Sequence, residues 1–299
     1  MRIDAVPDTL AILGGGVIAA EMAHIFGALG SQVTIVARSD VLLRSGDREV
    51  ARRFTEVVSS RWDLRLARTV AKAETSPDGI RLHLCDQLGQ PDPRPVDAEL
   101  LLVATGRTPN SDTLAVTQTG VATHADGRVV VDDFQATTVG GIFALGDISS
   151  RYQLKHVANH EAHVVQHNLL HPYDPTKADH RFVPYAIFSG PQVAAVGKTE
   201  QELQASNTPY VVSREAYGNI AYGRAMEDTT GFAKLLADPS TGQLLGGHII
   251  GPQASTVIQP IIQAMSFGLS AREMARGQYW IHPAMPEVVE NALLNLQFD

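Results

Sequence analysis

The sequence contains one cysteine, Cys85, among 299 residues. A lone cysteine closes no internal disulfide and cannot build a metal cage. Any redox chemistry must then come from a cofactor or another chain. Positive charge is also scarce: 24 Lys plus Arg stand against 32 Asp plus Glu, a net charge of −8. No basic block offers the row of cations that a phosphate backbone requires, so nucleic acid is not an expected partner. Long apolar runs are missing too, since "AELLLVAT" and "GGIFALG" are far too short to span a bilayer. The opening "MRIDAVPDTLAILGGG" lacks a charged stretch, apolar core and cleavage site in signal-peptide order. The expected address is cytoplasmic, with no membrane contact.

What the sequence has is enough apolar material, 44% of residues, to bury a large core, and more length than one average domain holds. Two or three domains are expected. Residues 10–13 ("LAIL") run into "GGG", and "VIAAEMAHIFGALG" follows with apolar residues at helical spacing up to Gly30. "QVTIVARS" supplies a β-branched second strand, completing a βαβ unit of about thirty residues. From Trp62 to Ala104, strand-like pieces ("LRLARTVAKA", "GIRLHLCD", "AELLLVAT") separated by turn-forming "SPDG" and "GQPDPRP" read as an antiparallel meander beside the nucleotide-binding sheet. Residues 108 to about 180 contain "VVVDDFQATTVGGIFALGD" and a His-rich helical pattern, "LKHVANHEAHVVQHNLL". The last zone opens at "VPYAIFSGPQVAAVG" and alternates strands with helical "QASTVIQPIIQAMSFGL" and "PEVVENALLNL".

The turn of the βαβ unit reads Gly14-Gly15-Gly16-Val17-Ile18-Ala19, a G-x-G-x-x-A pattern. The first glycine permits the tight turn, the second lets a pyrophosphate approach the backbone, and a small third residue lets helix pack on strand. The anion would sit on the helix N-terminus. An NAD-specific site places an acid at the end of the second strand, against the ribose 2′-hydroxyl. Here Ala37 is followed by Arg38, with Arg44 six positions later. Two guanidiniums and no carboxylate suit a 2′-phosphate, which favours NADPH over NADH. The bland alternative is a pair of solvated surface arginines.

Near the C-terminus, "GQYWIHPAMPEVV" sets His282 five positions before Glu287, an acid–base pair in a turn or simply two turn-forming polar residues. His160, His163 and His167 recur at spacings of three and four. Without partners beyond Glu161 they read as a helix face, not a metal site. Cys85 lies away from every motif and reads as a small buried apolar residue.

Three further segments, "LLVATGRTPNS", "TTVGGIFALGDISS" and the terminal "HPAMPE", stand in the order found in flavin-dependent pyridine nucleotide-disulfide oxidoreductases, and the whole chain resembles that family. The resemblance implies an α/β protein in three parts: a Rossmann-like NADPH-binding domain with its antiparallel meander (1–107), the C-terminal remainder of an FAD-binding domain (108–180) and an α+β dimerisation domain (181–299). It implies NADPH on Gly14, Gly16 and Ala19, with Arg38 and Arg44 on its 2′-phosphate and Glu21 near the nicotinamide. Asp147 would bind the flavin ribityl chain, although alone it would pass for a turn aspartate. Gly106 and Gly146 belong to the same flavin-side motifs, and Lys155, His156 and Ala158 would line the isoalloxazine. His282 would be the general acid–base with Glu287 orienting it, on a homodimer that reduces a low-molecular-weight disulfide.

Set beside the family, the sequence begins at the boundary before the NADPH domain. The first flavin segment, a C-x-x-x-x-C redox pair and the lysine partner of Glu21 are therefore expected to lie outside these residues. Two other departures bear on the substrate. Family members commonly carry threonine after His-Pro, where Ala284, Met285 and Pro286 stand here, and "GPQAST" replaces a more acidic run. A silent NADPH-binding dimeric fragment, and a family member acting on glutathione disulfide or dihydrolipoamide, remain the alternatives.

Overall fold

The structure, a computed structural model, describes residues 3–298. Its described residues up to Thr105, together with those from Pro184 onward, form one compact unit, and Gly106–Val183 form a second.

The first unit begins with β1 (Thr9–Leu13), α1 (Val17–Ala28) and β2 (Gln32–Val36). Helix α2 (Arg48–Val58) follows, and β3 (Asp63–Arg65) completes the parallel run. Strands β4 (Thr69–Ser76), β5 (Gly79–Cys85) and β6 (Val96–Ala98) make a three-stranded antiparallel meander, and β7 (Leu100–Val103) returns to the first sheet, whose order is β3-β2-β1-β7. Three parallel pairings, β1 with β2, β1 with β7 and β2 with β3, build this sheet. Both its faces are covered, which is why "TLAIL" and "QVTIV" are apolar almost throughout.

The stretch expected as one piece of meander, "LRLARTVAKA", is divided between two sheets. Asp63–Arg65 pairs with β2, the chain turns at Ala67 (φ 51°), and only then does β4 start the meander. Leu64 and Leu66 pack against the parallel sheet's core, so tertiary burial selected the sheet where alternation alone could not. The end of "AELLLVAT" likewise belongs to the parallel sheet as β7. Helix α2 went unread, although Asp47 caps it through the amides of Glu49 and Val50 at 3.0 and 3.4 Å.

The second unit holds a run of isolated bridges between residues 123 and 143, a one-turn 3-10 helix at Gly146–Ile148, and α3 (Lys155–Leu170), the His-rich helix. The chain then rejoins the first unit through β8 (Tyr185–Ile187), β9 (Gln192–Gly197), α4 (Glu200–Ala205), β10 (Val211–Ala216), α5 (Ala221–Ala225), β11 (Phe232–Ala237) and β12 (Leu244–Gly251). These five strands form an antiparallel sheet of order β10-β11-β12-β9-β8. Helices α6 (Ala254–Val257), α7 (Gln259–Phe267), α8 (Ala271–Arg276) and α9 (Glu287–Leu294) close the chain. The single helical stretch expected across 253–269 breaks at Ile258, because Pro260 has no amide for an interior turn and starts α7 instead. One buried cluster joins Leu10, Ile12, Ile35 and Phe54 around the parallel sheet to Ile187, Val193, Phe232 and Ile250 of the antiparallel sheet. Those two folds share a core.

Candidate functional site

The glycine turn leaves the start of α1 open. Gly14 has φ +134°, and a Cβ there would lie 2.4 Å from the Ala104 carbonyl oxygen of the neighbouring strand, so only glycine fits. Its amide donates to Val36 O at 2.9 Å, tying the turn to the end of β2. A Cβ on Gly16 would meet nothing within 4 Å. That open space lies at the N-terminus of α1, which carries no side-chain cap and no acidic residue in its first turn. The unsatisfied amides there are free for an anion. Ala19, 1% exposed, seats the helix on the sheet. Arg38 and Arg44 are both exposed, and their guanidiniums have no partner among the described residues. A dinucleotide with a 2′-phosphate fits these residues. Glu21 accepts a hydrogen bond from the Phe188 amide at 3.0 Å, so its carboxylate is fixed from within this unit.

At the other end of the chain His282 and Glu287 come together. Nδ1 of His282 is 2.7 Å from Glu287 Oε1, and Glu287 Oε2 accepts from the Ala284 amide at 3.0 Å. Partial burial works to raise the Glu287 carboxyl, but the bonds from His282 and Ala284 outweigh it and leave it below its ordinary value. An ionised Glu287 fixes the tautomer with hydrogen on Nδ1 and leaves Nε2 of a ring that is 68% exposed to exchange a proton. Around it Tyr279 and Ile281 are almost wholly exposed, at 102% and 78%.

In the second unit, Gly146 (φ +73°) donates its amide to Glu161 Oε2 at 2.7 Å, and Glu161 is buried at 1%. This presents Asp147 outward on the one-turn helix, its carboxylate 3.5 Å from Arg107. A Cβ on Gly146 would stand 3.2 Å from the Ala158 side chain, so the turn carrying Asp147 lies against the start of α3, where Lys155 and His156 sit. Lys155 donates to Asn159. Gly106 is exposed with φ +149°. The histidines of α3 do not act as one set: His160 Nε2 accepts from the Asp179 amide at 2.9 Å, and His167 contacts Asp174 O at 2.8 Å. Cys85 is half-buried, not fully buried, and its Sγ lies 3.1 Å from Thr69 Oγ1. It ends β5, the meander's central strand, directly opposite Thr69 on β4.

A buried ionic cluster escaped the sequence reading. Lys234, 1% exposed, holds Asp47 at 2.9 and 3.0 Å, Glu200 at 2.7 Å and Glu49 at 3.1 Å. Burial alone would lower the Lys234 ammonium, yet its carboxylate partners raise it above its ordinary value. Burial works to raise Asp47, and among its partners the Lys234 ammonium and the Glu200 amide hold it below the carboxylate range. A lone lysine in apolar "GFAKLLAD" was the available signal, since lysine is almost never fully buried unpaired.

Lys234 lies directly across the sheet from His248, which is also 1% exposed. His248 Nε2 faces Lys198 O at 2.9 Å, and Nδ1 has no partner. Burial lowers its pKa, so the folded protein keeps the ring neutral. The unfolded chain takes up a proton below about pH 6.5, and the folded protein does so only at lower pH. Stability present above that pH is therefore lost as pH falls, by up to about 1.4 kcal/mol per pH unit. Urea midpoints should decline between pH 6.5 and 5, and His248→Gln should flatten that decline; an unchanged slope would remove His248 as its source.

Residues 1–162 match the family model described as pyridine nucleotide-disulphide oxidoreductase, and 183–293 match the dimerisation domain of the same family. Mycothione reductase of Mycobacterium tuberculosis is 54% identical over 99% of the chain. Dihydrolipoamide dehydrogenase of Chaetomium thermophilum is 31% identical over 98% of the chain and 58% of its own length. Among solved structures, LpdA of M. tuberculosis superposes with a TM-score of 0.87 at 26% identity, covering 98% of this chain and 62% of that one. The HOCl-induced flavoprotein disulfide reductase of Escherichia coli gives 0.89 at 26% identity, over 99% of this chain and 66% of its own. The chain spans 64% of the length of the mycothione reductase it matches. No helix of the described residues is long and apolar enough to cross a membrane. The matches over both segments, on a parallel nucleotide-binding sheet followed by an antiparallel one, show that the chain belongs to the pyridine nucleotide-disulphide oxidoreductases.

Proposed function

We propose that this chain is the nucleotide-binding, flavin-contacting and dimerising portion of a cytoplasmic NADPH-dependent disulfide reductase, with mycothione as substrate. The observation that carries the reading is the open glycine cradle of Gly14, Gly16 and Ala19 with two unpartnered arginines beside it, in a chain 54% identical to a mycothione reductase. In this reading residues 1–107 bind NADPH, 108–180 complete the flavin site and 181–299 form the dimer interface. Gly106, Gly146, Asp147, Lys155, His156 and Ala158 would contact FAD, and Glu21 would lie at the nicotinamide. Bound FAD would pass reducing equivalents from the nicotinamide towards a thiol pair.

Cys85 is single and bonded to Thr69 in the meander, so the attacking thiolate would come from polypeptide outside these residues. His282 Nε2 would protonate the departing thiolate, with Glu287 holding the ring. The exposed Tyr279, Ile281 and Phe267 support a homodimer covering this end of the chain, because such large apolar side chains are normally screened from water.

Absorbance at the flavin bands, with NADPH oxidation assayed against mycothione, glutathione disulfide and lipoamide, tests the reading. A protein with neither bound flavin nor disulfide turnover would reduce it to a nucleotide-binding fragment, and preferred turnover of another acceptor would reassign the substrate. Replacing Arg38 and Arg44 together by alanine should weaken NADPH by about tenfold or more per arginine lost, since each charge-assisted bond contributes about 1.5–3 kcal/mol. NADH should be nearly unaffected. Equal losses for both nucleotides would refute the 2′-phosphate assignment.

A further inference from the structure

Arg44 sits in the connection from β2 to α2, and that connection is anchored from two different folds. On the nucleotide side, the Leu43 amide donates to Gly15 O at 2.7 Å, and the Leu42 amide to Thr55 Oγ1 at 2.9 Å. Leu43 is buried and held at φ 54°, so this end is fixed against the phosphate turn itself. On the other side, beyond the cap that Asp47 gives α2, the anchors come from the dimerisation segment. Gln201 Nε2 donates to Gly46 O at 2.8 Å, while its Oε1 accepts from the Arg48 amide at 3.2 Å. Lys234 grips both oxygens of Asp47, and the Glu200 amide donates to Asp47 Oδ2 at 3.2 Å. Gly46 is pressed against the same segment, since a Cβ there would come 2.9 Å from the Tyr185 hydroxyl. Between the two sets of anchors only Arg44 and Ser45 are exposed.

We propose that Gln201 and Lys234 are positioning residues for recognition of the NADPH 2′-phosphate, acting through the backbone that carries Arg44. The proposal rests on the assignment of Arg38 and Arg44 above. An arginine on a loose loop must be ordered when it binds, whereas one on a clamped loop is already in place, so the clamp favours the phosphate-bearing nucleotide specifically. Guanidinium–phosphate pairing is directional, which makes it sensitive to displacement of the loop. A consequence is that the dimerisation segment contributes to coenzyme choice without touching the coenzyme.

Calorimetric titration of the chain with NADPH and with NADH, which differ only in the 2′-phosphate, tests this. Gln201→Ala should raise the NADPH dissociation constant about fivefold, and Lys234→Met about tenfold, with NADH changed less than about twofold, because only the phosphate contact loses its preorganisation. A clamp that merely joins two folds would weaken both nucleotides alike, and that result, or no change in either, would overturn the proposal. Gln201→Ala removes no buried charge and decides the matter where Lys234→Met does not fold. Arg38→Ala with Arg44→Ala serves as the control. If it leaves the NADPH preference intact, the 2′-phosphate assignment fails and this inference with it. If it abolishes the preference while Gln201→Ala does not diminish it, the assignment stands and the positioning role is wrong.

Discussion

Replacing His282 by alanine is expected to slow disulfide turnover by about 10²- to 10⁴-fold, the usual contribution of a positioned general acid–base. The measurement requires a form of the protein that turns over a disulfide, and it should separate two half-reactions. On the proposed function, reduction of bound flavin by NADPH would involve no proton at His282 and should keep its rate. Reoxidation by the disulfide should carry the whole loss. The geometry gives the reason: with Nδ1 committed to Glu287 at 2.7 Å, Nε2 is the ring's remaining exchangeable position. Glu287→Gln should be milder, because the amide can still hold the ring through a hydrogen bond but no longer stabilises the imidazolium. An alanine variant with unchanged reoxidation would end the acid–base assignment, and equal slowing of both half-reactions would point to disturbed folding instead.

Asp47→Ala should destabilise the protein by about 3–5 kcal/mol, the range for breaking one partner out of a buried ion pair. The substitution removes both oxygens from Lys234 and leaves that ammonium, 1% exposed, to Glu49 and Glu200 alone. It also strips the cap from α2, worth about 1 kcal/mol by itself. Asp47→Asn separates the two contributions, since an asparagine oxygen still caps the helix but offers no charge to Lys234. Urea unfolding followed by tryptophan fluorescence should show the asparagine variant retaining the cap's share and losing most of the rest. A loss below about 1 kcal/mol in the alanine variant would mean that the cluster is relieved by water or rearrangement, against the burial seen here.

Much of this was legible in the residues. The G-x-G-x-x-A turn between an apolar strand and an apolar-striped helix announced the dinucleotide fold, because each glycine answers a local backbone demand that the sequence states directly. The order of "ATGRTPN", "GGIFALGD" and "HPAMPE" identified the family for the same kind of reason. His282 and Glu287, five residues apart around a short turn, were bound to lie close. Less was legible where partners are distant. Alternation in "LRLARTVAKA" could not say that its first two residues belong to one sheet and its last five to another, since that choice depends on what Leu64 and Leu66 pack against. The state of Cys85 depended on Thr69, sixteen residues away on the neighbouring strand.

The sequence by itself thus determined the elements whose causes are local: the glycine turn, the striped helix after it, the nearness of His282 to Glu287, and the family that their order marks. The tertiary structure alone decided which charges are buried together. Asp47 and Lys234 stand 187 residues apart, and neither side chain is stable in the interior until the other arrives. Their meeting follows from packing one sheet against another around a shared apolar core, a global minimum that no window along the chain encodes. That packing also set the loop bearing Arg44 between the phosphate turn and the dimerisation segment.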